Sequence, residues 1–229
     1  MKLPALALLT SSLLLLSGCE LDTGTSPAHY YDFRQGNQQW QAGFSDYPTD
    51  NATIYQLQSG VRNLPTGFTG QGFYLQGMNR SDDLFMYIKR KITGLEPATR
   101  YQLSVSVRFL TDAASDCMGV GGAPGESVYL KFGYASQEPQ QSGYYLNVDK
   151  GNQSQDGSNA RVIGNIASSE LSCDEDKFAS KIVSGSGNTP LQFTSNADGS
   201  IWVFLGTDSG FEGLTRLYYR ELELRFTPL

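Results

Sequence analysis

Tyr101, Leu103, Val105, Val107 and Phe109 are apolar, and Gln102, Ser104, Ser106 and Arg108 between them are polar. A repeat of two puts every apolar member on one side of an extended chain. The stretch Thr93–Leu110 therefore predicts a strand with one face in a core and one in water. Gly94-Leu95-Glu96-Pro97 precedes it. Gly tolerates positive φ and Pro fixes φ without donating to a ladder, so the chain reverses there. Shorter alternations recur at Leu84–Ile92, Ser127–Ser136, Ser200–Gly206 and Leu214–Phe226. The expectation is an all-β, antiparallel β-sandwich of about nine to eleven strands.

The first residues are read apart from the fold. Lys2 is followed by a mostly apolar run, Leu3–Leu16, and then by Leu16-Ser17-Gly18-Cys19. This resembles the lipobox of bacterial lipoproteins, in which the chain is cut just before a lipidated Cys. The resemblance implies a signal peptide over 1–18, a lipid on Cys19, a flexible tether over 19–28 and a domain over 29–229. Pro4, Thr10, Ser11 and Ser12 interrupt the apolar run, which suits a signal better than a spanning helix. In enterobacterial lipoproteins Asp after the lipidated Cys favours inner-membrane retention. Glu20 stands there here, which leans to the outer membrane. The lipid is thus the expected membrane anchor and the cell envelope the expected location.

Net charge is −6, and removing Lys2 makes it −7. With no Lys/Arg run, nucleic acid and polybasic membrane contact are poor matches. Cys117 and Cys173 remain once Cys19 carries lipid, an even pair in an oxidising compartment, and they predict a disulfide. Closing a loop of about 57 residues stabilises by at most about 4 kcal/mol in the chain-entropy view.

Along the chain, short strands are expected at Ala52–Gln58, Gly72–Met78, Gly143–Lys150, Arg161–Ile166 and Thr189–Thr194. Loops are expected at Thr111–Glu126, Gly151–Asn159, the acidic Ser169–Lys177 and Asp208–Gly213. No helix is expected after the signal, and one domain accounts for the composition.

Three stations carry a resemblance. They are Asp32-Phe33-x-x-Gly36 followed by Trp40, Leu95-x-Pro97-x-Thr99-x-Tyr101-x-Leu103-Ser104, and Leu217–Leu224. Together they resemble jelly-roll carbohydrate-binding modules of the xylan- and glucan-binding kind, which implies a single jelly-roll β-sandwich. Arg220-Glu221 replaces that family's Asp pair, Ala98 replaces its turn Gly, and the Cys117 loop is extra. The central station alone also resembles the tyrosine corner of fibronectin type III domains.

The chain has 13 Tyr, 12 Phe and 2 Trp. Most aromatics in a sandwich fill its core. Tyr87, Tyr129, Tyr145 and Trp202 lie opposite the apolar rows of their strands, and Asn147 and Asp149 share the Tyr145 face. Rings on an open sheet stack on the apolar faces of sugars, while amides and carboxylates bond the hydroxyls. The expected ligand residues are Tyr87, Tyr129, Tyr145, Asn147 and Trp202, for a glycan or envelope polymer. Asp208 and Glu212 in DSGFEG could supply oxygen ligands to a structural Ca²⁺, and otherwise form a solvated turn. His29 is the single histidine and there is no Gly-x-Ser-x-Gly or phosphate loop, so no enzyme is expected. The favoured role is glycan binding by a non-catalytic lipoprotein. The alternative is a structural or protein-interaction lipoprotein without a sugar ligand.

Overall fold

The computed structural model describes residues 28–229. The signal, Cys19 and most of the tether lie outside the described residues. Fourteen strands follow in chain order: β1 (Ala28–Asp32), β2 (Gln41–Ser45), β3 (Gln58–Asn63), β4 (Gln71–Met78), β5 (Phe85–Ile92), β6 (Arg100–Thr111), β7 (Val128–Ala135), β8 (Gln141–Ser142), β9 (Tyr145–Leu146), β10 (Ala160–Asn165), β11 (Ala179–Gly185), β12 (Leu191–Thr194), β13 (Ile201–Ser209) and β14 (Leu214–Pro228).

Two antiparallel sheets face each other. The first runs β11-β6-β14-β4-β3, with β12 beside β11 on β6 and β1 beside β4 on β14. The second runs β10-β7-β13-β5-β2. The chain passes repeatedly between the sheets, as in a jelly roll, with β3–β4 and β11–β12 staying within the first. The core is the inner row of each strand: Leu103, Val105, Val107 and Phe109 from β6 meet Met86, Ile88, Leu130, Phe132, Val203 and Leu205 from the second sheet. The alternation read from β6 therefore holds along its length. Tyr101 is buried at the end of that row, and its phenol oxygen accepts from the Glu96 N–H at 3.0 Å, pinning the preceding turn. Ala98, in the position the resemblance gives to Gly, takes φ +50°.

β14 needs a shift to keep its apolar groups inward. Leu217 and Tyr219 are buried, then Leu222, Leu224 and Phe226. Odd positions become even across a bulge between Tyr219 and Glu221, where the pairing with β6 slips by one.

Three expectations are corrected. Residues Thr49–Tyr55 form 3₁₀ turns, not a strand. Their Thr, Asp and Asn side chains favour tight turns, and the strand begins only at Gln58. Gly143–Lys150 is not a long strand either. Its ladder is two residues, Tyr145–Leu146, paired with Gln141–Ser142 in a small hairpin. β11 was not expected, because Ser180, Lys181 and Ser184 mask its apolar rhythm.

Cys117 and Cys173 are joined, with Cα atoms 5.7 Å apart. The bond ties the loop after β6 to the loop before β11. Replacing both cysteines by Ala is expected to lower unfolding free energy by up to about 4 kcal/mol in urea titration, with the β-sheet circular dichroism unchanged, because both residues lie outside the sheets.

Candidate functional site

The register of the second sheet fixes what its outer face carries. Asp208 of β13 lies between Phe85 of β5 and Tyr129 of β7, and Gly206 between Tyr87 and Lys131. Phe204 lies between Lys89 and Gly133, and Trp202 between Lys91 and Ala135. A Cβ on Gly206 would come within 2.6 Å of the Tyr87 Cβ, so Gly lets these rings settle against the strand.

This face is covered. Residues 136–159 cross it as a strap. Leu146 and Val148 from the strap, with Ala160, close over Phe85, Tyr87 and Phe204 in a second small core. Tyr87 is 1% exposed, stacks on Phe85 at 5.1 Å and donates its hydroxyl to the Pro139 carbonyl at 3.3 Å. Lys89 bonds the same carbonyl at 2.6 Å and pairs with Glu138 at 2.7 Å. The Asp46 N–H donates to Tyr144 O at 2.8 Å, and the Gln141 amide to Tyr47 O at 2.8 Å.

The expected open wall of Tyr87, Tyr129, Tyr145 and Trp202 is thus corrected. Tyr87 is core beneath the strap, while Tyr129 and Trp202 are half-buried on the sheet. Tyr145 is 63% exposed, but on the strap itself, against Tyr144. Asn147 is exposed, yet its amide is spent within its own hairpin, accepting from the Gln140 N–H and donating to Glu138 O, each at 2.9 Å. The physical reason is that a half-apolar face invites a cover as readily as a ligand. His29 lies edge-on to Phe226 at 5.3 Å.

The far end of the strap is held by charge. Asp208 and Lys131 are inaccessible to solvent and 2.8 Å apart. Asp208 Oδ2 also accepts from the Lys150 ammonium at 3.0 Å and the Gln153 N–H at 2.8 Å. Lys131 gives its other protons to Lys150 O and Gln155 O, both at 3.0 Å. Lys150 stands between three carboxylates, with Asp83 at 3.6 Å and Asp46 at 3.7 Å completing the set. Burial alone would lower the Lys150 ammonium, but these three carboxylates outweigh it and raise it. Burial lowers Lys131 despite Asp208, and burial raises Asp46 despite Lys150. Burial, with Asp208 and Asp46 nearby, pushes the Asp83 carboxyl up to about 7.

Of the pair expected to hold Ca²⁺, Asp208 has two ammonium groups on its carboxylate and Glu212 is exposed. Among the described residues no group of three or more His, Cys, Asp or Glu is placed to hold a metal.

A second group of rings lies on the first sheet, where Tyr218 and Phe178 are half-buried and Tyr74 beneath them is 4% exposed. Tyr74 and Tyr218 are directly opposed across β4 and β14, ring centroids 4.6 Å apart. Phe178, just before β11, meets Tyr218 edge-on at 5.5 Å and 81°. These rings, the β3–β4 turn at Pro65-Thr66-Gly67, Asp176, Lys177 and Arg216 enclose a cleft of about 610 Å³. The Arg216 guanidinium is fixed by Asp112 at 2.6 Å and Asp176 at 3.0 Å, and lies 5.4 Å from the Phe178 centroid. Arg62 covers Tyr74 at 4.3 Å. Burial raises the Asp112 carboxyl although Arg216 pulls it down. Tyr74, Phe178 and Tyr218 were missed in the sequence. The signal for Tyr218 was its place between the inward Leu217 and Tyr219, before the bulge. The other clefts include one of about 570 Å³ beside the edge strands β10 and β11, lined by Ser, Gly and Asn with Asp156, Val162 and Ile163 and no ring.

No protein-family model matches the sequence, and no curated protein matches it. Among solved structures, the chain is similar to the CBM22-1 xylan-binding domain of a Paenibacillus barcinonensis protein. Identity is 11%, coverage 89% of this chain and 97% of that one, and the TM-score 0.41. A carbohydrate-binding module with specific mannan recognition, TmCBM27, is 11% identical over 87% of this chain and 95% of that one, with TM-score 0.41. A cleaved adhesin domain of Lys-gingipain from Porphyromonas gingivalis is 11% identical over 87% and 98%, with TM-score 0.41. Likeness at this level carries no argument about ligand, and the jelly-roll sandwich rests on the sheet order and core described above.

The ion cluster and the turn respond differently to mutation. Asp208→Ala strands a buried ammonium and is expected to cost about 3–5 kcal/mol of unfolding free energy in urea. Glu212→Ala, on the surface, is expected to change it by less than about 0.5 kcal/mol.

Proposed function

We propose that this chain is a non-catalytic, lipid-anchored envelope protein that binds a glycan or envelope polymer, and that it does so in the cleft of the first sheet. The observation that carries this reading is the arrangement of the half-buried Tyr218 and Phe178, backed by the buried Tyr74, beside a fixed guanidinium in a cleft of about 610 Å³. Tyr218 and Phe178 meet at 81°, forming a corner in which one sugar face stacks while a neighbouring edge packs. Arg216, Asp176, Lys177 and the Thr66 hydroxyl supply donors and acceptors for sugar hydroxyls around that corner. Opposite charges alternate at the rim, which suits a neutral sugar better than a polyanion.

The anchor in this reading is a lipid on Cys19, with Glu20 favouring the outer membrane. The second reading, a protein-interaction lipoprotein, is favoured by one observation. Met118 and Val120, beside the disulfide, are 100% and 68% exposed. Large apolar groups held out in water on a tied loop suit a protein contact.

A glycan array of envelope and plant polysaccharides tests the favoured reading. Binding is expected, and Tyr218→Ala or Phe178→Ala is expected to weaken it at least about tenfold, roughly 1.4 kcal/mol. Tyr145→Ala is expected to leave it unchanged. Silence across the array would overturn the glycan reading. For the anchor, labelled palmitate is expected on the wild-type chain and absent from Cys19→Ser.

A further inference from the structure

Four groups of the strap converge on one ion pair. The Lys150 ammonium, the Gln153 N–H and the carbonyls of Lys150 and Gln155 all bond to Asp208 or Lys131. The other charged groups facing this point come from two more elements, Asp46 at the end of β2 and Asp83 in the turn before β5. The Tyr87 and Tyr144 phenols also feel Asp46. Asp149, although on the strap, turns to the N–H groups of Gly151 and Ser158.

The cluster has three carboxylates and only two ammoniums, leaving one negative charge in excess, with Asp83 22% exposed and the other four side chains at most 5%. It also has two orphans, since Asp83 Oδ1 and Asp208 Oδ1 are buried without a hydrogen bond. Asp83 Oδ1 and Asp208 Oδ2 both face the Lys150 ammonium, at 3.6 and 3.0 Å. A single proton held on Asp83 supplies a donor within the cluster and cancels the excess charge. That one proton removes both defects.

We propose that residues 136–159 are a proton-gated cover, shut while Asp83 holds its proton and lifting as Asp83 ionises, with the row Phe85, Tyr87 and Phe204 as the surface it uncovers. The direction follows from linkage. Shut, the Asp83 carboxyl sits at about 7; lifted into water, it returns to the ordinary 3.8. The shut form therefore binds the proton more tightly. Its advantage is complete below about pH 4, declines as pH rises, and is gone above about pH 7. Asp46, also raised, acts in the same direction.

Hydrogen–deuterium exchange of the full chain, corrected for the intrinsic rate at each pH, tests this. Between about pH 5.5 and about pH 8.5 the protection of amides Leu146–Gln155 is expected to fall about thirtyfold, each unit below a carboxyl at about 7 counting tenfold. Amides of β6 are expected to keep their protection. In Asp83→Asn, which donates a hydrogen bond without ionising, the fall is expected to shrink to the smaller part that Asp46 contributes. Strap protection independent of pH, an equal loss in β6, or an Asp83→Asn strap that loses as much protection as the wild type would each overturn the proposal. Should that variant not fold, carboxyl NMR of the wild-type chain decides. An Asp83 midpoint near 7 supports the cover, and one near 4 overturns it.

Discussion

The contact between Lys131 and Asp208 sets the terms for much of this molecule. Two opposite charges on neighbouring strands are wholly removed from water. Such a pair is tolerable only when its remaining protons and lone pairs are used. The strap uses most of them, through Lys150, Gln153 and Gln155. The same segment brings Leu146 and Val148 down on Phe85, Tyr87 and Phe204. One sheet of the sandwich is thus closed on its outer side by polar necessity and apolar packing together.

On the other sheet the half-buried rings Tyr218 and Phe178 border a cleft. There the deciding feature is the bulge in β14. Before it, Leu217 and Tyr219 point inward, so Arg216 and Tyr218 point out, opposite Tyr74. After it, Leu222, Leu224 and Phe226 take over the core. The disulfide loop then delivers Asp176 and Phe178 to the same place. A cleft results from three separate parts of the chain, each positioned by a different device: a register, a bulge and a covalent tie.

The sandwich was legible because β6 and the end of β14 keep a strict repeat of two, while β5 and β13 carry large apolar groups on both faces. The disulfide was legible from the even pair of cysteines. The covered face was not. Alternation says that Phe85, Tyr87 and Phe204 lie opposite the core row, but not whether chain or solvent meets them. The segment that meets them is rich in Gly, Ser, Asn and Gln, and its few apolar anchors look like a strand's. Lys131 and Asp208 were invisible for another reason. A lysine on an outer row reads as solvated, and only the register of β7 against β13 reveals its partner. The Tyr74–Tyr218 pair likewise depends on a pairing that joins residues far apart in sequence.

Which wall of the sandwich is open is the point on which the rest turns, and hydroxyl-radical footprinting of the native protein near pH 6 reads it directly. Phe178, Tyr218 and Tyr145 should be modified readily, while Tyr87 and Phe204 stay protected until the chain unfolds. Modification of Tyr87 and Phe204 at rates like that of Tyr145 would contradict the covered face and the assignment of the cleft with it.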